Sequence, residues 1–392
     1  MKYIPPIAQR NLSIEPLVQA SCFYGRHDVG IWNISKQFSM LGVTDIHRCA
    51  PQLKNAIEYL NYQDSLDCGI CLGDIHGSNF SETDGTWYTD LVLNSEKPFL
   101  TVLGNHDVGN STRAEISGTS QEAFKKFIQP TLSVTGLETC EKPYYVKYFD
   151  EYKIVLLCLD NYDAPDARDE NGDFIIDRGV VLYSQEQLDW MIETMNHIPA
   201  DYHLLICLHA YTYGGTISHE SGWSQKEIRL YDDNSSLYRV NHGHFEYATP
   251  YGKVTPLGDI VNAWKNGIKL KTDYVPESNA DILPVLHVDC DFSTRGKGIF
   301  AAYLTGHLHW DVVGYTDAYP DQKIIALPAS SLDAWQTYCC DLPRIEGTKS
   351  EDALTVISIC TNVREIRLVR IGSDMTFDMR ERKYCVIPYG DK

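Results

Sequence analysis

At 392 residues, with 43% hydrophobic and 22% charged residues, the chain can hold a large core and has the composition of an ordinary globular protein. Its formal net charge of −19 argues against a long nucleic acid as partner, because that affinity rests on Lys and Arg neutralising phosphates. A small anion can still bind where a metal reverses the local field. No apolar run reaches the length of a membrane span.

The N-terminus, MKYIPPIAQRNL, lacks the apolar stretch of a secretory signal. The twelve cysteines are scattered, and several lie inside apolar runs (Cys158 in IVLLCLD, Cys207 in LLICLH). This is the pattern of buried thiols in a reducing cytoplasm rather than of a disulfide framework. Cys68 and Cys71 are three apart in a strand-like run and so face opposite ways, which argues against a shared zinc. Cys339 and Cys340 are expected to be free thiols.

In chain order, residues 1–33 show no periodicity and stand as an unassigned extension ahead of one domain over 34–392. FSMLGVTDIH predicts a buried strand over about 38–45, and PQLKNAIEYLN an amphipathic helix. CGICLGD (68–73) and PFLTVLGNHD (98–103) predict two more buried strands, and QEAFKKFIQ (121–129) a helix. YYVKYFD and KIVLLCLD read as strands. SQEQLDWMIETMNHI (184–198) reads as a helix with Ser184 as N-cap and Gln187 at the reciprocal capping-box position. HLLICLH (203–209) and IFAAYLTGHLH (299–309) are again strands, and four further apolar runs make a β-rich C-terminus that predicts a second sheet. The strand–helix alternation of the first half argues for α/β layering. Between His209 and His307 lie 97 residues, far more than a connection needs. This segment, about 210–298, is rich in aromatics and reads as a cap-like insertion.

Five of these strands end in chemistry-bearing residues. Asp45-Ile46-His47, Gly73-Asp74 and Gly104-Asn105-His106-Asp107 follow one another at intervals of about 30 residues, the length of a βαβ unit. That spacing returns each cluster to one sheet edge, where α/β proteins bind ligands. His209 and Gly306-His307-Leu308-His309 end two later strands, with the two imidazoles on one strand face. Each residue alone has a plain explanation: Asp74 or Asn105 as a turn or cap residue, His209 as a satisfied imidazole. Together they would be costly to gather without a compensating metal. His242 and His244, and the run Asp160-Asn161-Tyr162-Asp163, read more simply as a surface loop and a turn.

The ordered set D-x-H, G-D, G-N-H-D, H and G-H-x-H resembles the calcineurin-like metallophosphoesterase superfamily, and SQEQLDWM is similar to that family's S-x-x-Q-x-x-W-L segment. The resemblance covers roughly residues 38–210 and 298–330. It implies a four-layer α/β/β/α sandwich with two mixed sheets, here carrying the aromatic-rich insertion. It further implies a dinuclear centre holding two divalent ions (Mn, Fe or Zn). Asp45, His47 and His309 would hold the first ion, Asn105, His209 and His307 the second, and Asp74 would bridge them. His106 would be the general acid, with Asp107 orienting its ring. Gly77 stands where many relatives carry a second Asp, so an outer contact is either missing or supplied by His76 or Asn79. The G-N-H-D motif, with no Arg after it, points away from the Ser/Thr protein phosphatases.

The implied function is hydrolysis of a phosphomonoester or phosphodiester of a small molecule by a metal-bridging hydroxide. A cyclic-nucleotide or nucleotide-type phosphodiesterase is the alternative within enzymes, and a catalytically silent metal-binding scaffold is the alternative outside them. The expected partner is a small phosphorylated substrate, gripped by Tyr211 and Tyr213 beside His209, with no membrane partner and a cytoplasmic location.

Overall fold

The computed structural model describes residues 3–28, 31–77, 79–137, 139–210, 217–219, 250–251, 256–309, 311–316, 318–332, 344–373 and 384–390. Tyr211, Tyr213, His242, His244, Cys339 and Cys340 lie outside the described residues.

The N-terminal stretch holds two short helices, α1 (Pro6–Arg10) and α2 (Glu15–Cys22), and a hairpin of β1 (Phe23–Asp28) and β2 (Ile31–Lys36). Its lack of periodicity has a physical reason: these elements are too short to show one, and they dock through a few residues such as Ile7, Val18 and Cys22, all buried. The strands that follow are β3 (Phe38–Val43), β4 (Cys68–Leu72), β5 (Phe99–Val102), β6 (Tyr145–Phe149), β7 (Ile154–Cys158), β8 (His203–Cys207) and β9 (Ile217–His219). After these come β10 (Lys269–Tyr274), β11 (Leu286–Asp291), β12 (Ile299–Thr305), β13 (Val312–Thr316), β14 (Tyr319–Ala326), β15 (Ala353–Cys360), β16 (Glu365–Gly372) and β17 (Tyr384–Pro388).

Two large mixed sheets form the centre. One has six strands in the order β17-β16-β15-β3-β4-β5, the other seven in the order β6-β7-β8-β12-β14-β13-β9. Within the first, β3, β4 and β5 run parallel, while β15 pairs antiparallel with β3. This corrects the expectation that the C-terminal strands build a separate second sheet: β15, β16 and β17 join the sheet of β3, β4 and β5, and of the four runs only β14 lies in the other. Every residue of β3, β4, β7, β8 and β15 is buried. Covered on both faces, such strands read as continuous apolar runs with no alternation to mark their partners.

Helix α3 (Ala50–Tyr62) packs on β3 and β4, and the helix over Pro256–Asn266 packs on β12 and β14. The helix over Gln185–His197 is apolar at Leu188, Met191, Ile192 and Met195, the stripe of a helix with one buried face. Ser184 Oγ caps it by accepting from Gln187 N at 3.1 Å, an interaction worth about 1 kcal/mol. The reciprocal bond expected of Gln187 is not made. Its amide turns inward, accepting from Asp160 N and donating to Asp160 O, each at 2.9 Å. The run predicted as a helix over 121–129 is one α-turn, Ser120–Ala123, that widens to π geometry over Phe124–Ile128. No helix among the described residues is long and apolar enough to cross a membrane.

Candidate metal centre

The loops leaving β3, β4 and β5 meet those leaving β8 and β12 at the seam between the two sheets. Backbone bonds fix the meeting: Asp45 N donates to Gly73 O (2.9 Å), His47 N to Asp74 O (3.0 Å) and Gly306 N to His209 O (2.9 Å). His307 N crosses the seam to donate to Asp45 Oδ2 at 2.9 Å, an oxygen that also accepts from its neighbour Thr44 Oγ1 at 2.8 Å.

The backbone at this seam is strained. Asp45, His47, Asp74, His307 and His309 all have positive φ, between 46° and 67°. For non-glycine residues this costs on the order of 1 kcal/mol or more each, and such residues cluster where geometry serves function. The G-H-x-H pair is therefore not presented by a strand face, as its spacing had predicted. Strand β12 stops at Thr305, and two left-handed residues aim the two rings separately. Gly306 is required there because a Cβ would lie 1.8 Å from Thr44 Oγ1.

Six side chains converge in two groups. Asp45, His47, Asp74 and His309 form one group of potential ligand atoms, and Asp74, His209 and His307 a second, with the atoms of each group within 4.8 Å of one another. Asp74 belongs to both. Its Oδ2 lies 3.2 Å from His209 Nε2 and 3.8 Å from His47 Nε2. Asn105 is buried at the start of α5 (Asn105–Val108), directly after β5. Imidazole nitrogens face each other at 3.3 Å between His47 and His309 and at 3.1 Å between His209 and His307. Asp45 Oδ1, fully buried, has no hydrogen-bond partner among the described residues and lies 3.2 Å from His309 Nε2.

These contacts fit divalent cations. Ring nitrogens aimed at one another and at carboxylate oxygens share a charge deficit that a cation fills, and imidazole, carboxylate and amide together suit Mn, Fe or Zn. His209 Nδ1 donates to Leu72 O at 2.6 Å, which leaves Nε2, 3.2 Å from Asp74 Oδ2, as the nitrogen available to a cation. Without ions the protonation is polarised. Burial pulls His47 down to about 3, with neighbouring charges only partly opposing. Burial also lowers His209, but Asp74 and Asp45 outweigh it and raise the ring to about 9. Burial would raise Asp74 as well, yet His209, His106 and His47 hold its carboxyl well below the usual range.

His106 sits at the open edge of the cluster. Its side chain is 21% exposed and its Nε2 is 3.9 Å from Asp74 Oδ2. Asp107 does not serve this ring as expected. Its carboxylate accepts from Gly104 N (2.8 Å) and His76 N (2.9 Å). Neighbouring residues on one helical turn point apart, so Asp107 caps α5 and ties it to the loop after β4. The absent second Asp is not replaced from either expected side. His76 Nδ1 faces Gly77 O, the Asn79 side chain bonds Ser81 and Glu82, and the Arg48 guanidinium lies over Gly77.

The run Asp160-Asn161-Tyr162-Asp163 after β7, expected to be a turn, reaches the site. Asn161 and Tyr162 bond to the ligand segments rather than forming a plain turn. Their position at the end of a buried apolar strand was the available signal.

A calcineurin-like phosphoesterase family model matches residues 38–244, slightly more than half of the chain. The chain belongs to the calcineurin-like phosphoesterase family. The match carries every expected ligand except His307 and His309, which lie beyond it. No curated protein matches the chain significantly. Among solved structures, the fold is similar to a purple acid phosphatase from yellow lupin seeds, at 11% identity and a TM-score of 0.45. That match covers 91% of this chain and 54% of the lupin chain, so this protein spans about half the length of that enzyme. A phosphopantetheinyl hydrolase from Mycobacterium tuberculosis is similar at 12% identity and a TM-score of 0.36, covering 75% of this chain and 90% of that one. A predicted phosphoesterase from Streptococcus pneumoniae is similar at 7% identity and a TM-score of 0.31, covering 90% and 98%.

Proposed function

We propose that the protein hydrolyses a phosphomonoester or phosphodiester of a small molecule, with two divalent ions (Mn, Fe or Zn) held by Asp45, His47, Asp74, Asn105, His209, His307 and His309. The observation that carries this reading is the sharing of Asp74 between two ligand groups. A carboxylate has two oxygens to give, and its placement at the seam of both groups suits a bridging role. When bound, two such ions supply positive charge to the phosphoryl oxygens and lower the pKa of a water between them.

The residues of the chain supply the remainder. Asp45 would hold a cation through its negative charge, and the neutral imidazoles would complete the shells without cancelling the positive charge that remains. His106, at the exposed edge, is placed to give a proton to the leaving oxygen, a task suited to imidazole. A partner is then a small phosphorylated molecule approaching that edge, and a net charge of −19 makes the cations the attraction for it.

The test is hydrolysis of p-nitrophenyl phosphate and bis-p-nitrophenyl phosphate with added Mn²⁺. Turnover of either one supports the reading, and the ratio separates mono- from diesterase. Protein that holds two ions yet turns over neither ester, nor alkyl phosphates, is a metal-binding scaffold instead.

A further inference from the structure

Strand β7 ends at Cys158, and the residues beyond it run Leu159-Asp160-Asn161-Tyr162. An Asn in a turn ordinarily bonds backbone about two residues on. Asn161 does not. Its Oδ1 accepts from His209 N at 2.8 Å and Ala210 N at 3.1 Å, 48 and 49 residues away in sequence. Its Nδ2 donates to Tyr183 OH at 2.7 Å. The residue is fully buried. The amide orientation is dictated by these partners, because the reversed group would set an NH₂ against two N–H donors. The next residue reaches the same half of the centre from another side: Tyr162 OH stands 3.4 Å from Asn105 Oδ1, a long hydrogen bond.

We propose that Asn161 is a positioning residue for the half-site of Asn105, His209 and His307, and that with Tyr162 it sets the affinity of the second cation. The proposal rests on the two-ion reading above. Two N–H groups pinned to one amide oxygen fix the backbone from which the His209 ring hangs. Leu72 O then fixes the ring's rotation through Nδ1. The constraint passes on to His307, because Gly306 N donates to His209 O and the two rings stand 3.1 Å apart. The Tyr162 hydroxyl holds Asn105 with its amide oxygen, the metal-binding end, engaged at a defined place. Asp45 and His47 are fixed by other bonds, to Gly73 O and Asp74 O. The side-chain bonds of Asn161 reach none of Asp45, His47 or His309 among the described residues. Removing the Asn161 amide therefore acts on one half of the centre and spares the other.

The experiment is calorimetric titration of chelator-stripped full-length protein with Mn²⁺ alone, alongside elemental analysis and the melting temperature of the metal-free form. Asn161→Ala is expected to weaken the second binding step 10–100-fold, the usual effect of losing a ligand's supporting partner, with the first step changed by less than about 2-fold. Tyr162→Phe should act in the same direction with a smaller effect. Asn161→Asp keeps an acceptor for both N–H groups, and Tyr183 can rotate its hydroxyl to donate, so it should restore most of the second step. Equal weakening of both steps overturns the proposal, and so does unchanged binding with only a lower melting temperature, since either marks Asn161 as structural. A single ion in the wild type overturns the two-ion reading itself, and this proposal with it.

Discussion

Gly104 lies directly against the carboxylate of Asp74: a Cβ on Gly104 would come within 2.2 Å of Asp74 Oδ1 and 2.3 Å of Asp74 N. The glycine of the G-N-H-D motif is thus a consequence of the close approach of two loops at Asp74. Gly104→Ala must push Asp74 or α5 aside. It is expected to lower stability by about 1–3 kcal/mol, the usual range for overpacking, and to leave less than half the wild-type metal content. Elemental analysis and thermal melting check both. Full metal content in a stable variant would show that the seam can relax.

Asp74 joins two ligand groups, so its loss is expected to be felt by both ions. Asp74→Ala should retain neither after dialysis, whereas His309→Ala should keep the ion nearest His209. Metal analysis of the two variants side by side distinguishes a shared carboxylate from two independent sites.

His106 stands at the edge of the centre and outside both ligand groups. His106→Ala should keep its metals and fold while kcat falls 10²–10⁴-fold, the range for a positioned acid. The loss should be smallest for p-nitrophenol, which needs little protonation to leave, and largest for alkyl alcohols. Burial lowers the pKa of this ring, with Asp74 only partly opposing. Added cations push in the same direction. Its acid form is thus lost as pH rises through a value below the ordinary 6.5, and activity on alkyl esters should decline on that limb while aryl esters hold steady. Parallel profiles for both ester types would assign His106 to charge stabilisation rather than proton transfer.

Asp160 is buried with its Oδ2 unbonded among the described residues, and burial, with Asp163 nearby, raises its carboxyl to about 7. The folded state keeps a proton that the unfolded chain releases near pH 4. Stability from this group is complete below that pH and is lost as pH rises from about 4 to about 7. Asp160→Asn removes the titration and keeps an oxygen able to accept from Tyr162 N. The melting temperature of the variant relative to wild type should therefore climb across that window and level off above it. A constant difference would mean that Asp160 does not titrate there.

The sequence by itself determined the parts of this protein that local pattern carries. Buried strands announced themselves as apolar runs, and the helix over Gln185–His197 by its stripe and its Ser184 cap. The candidate ligands stood out because five strands end in metal-binding groups, three of them a βαβ unit apart. Tertiary structure decided what no local pattern records. Strand β15 pairs with β3 across some 300 residues, and a strand buried on both faces carries no mark of its neighbour. Asp107 and Gln187 were legible as polar residues but not as partners, because each turns from the local bond its spacing offers to one reached only after packing. Asn161 looked like a turn for the same reason: the two N–H groups it satisfies come from 48 and 49 residues away. Left-handed φ at five of the candidate ligands likewise has no sequence signature, since the surrounding bonds, not the residues' own preferences, impose it.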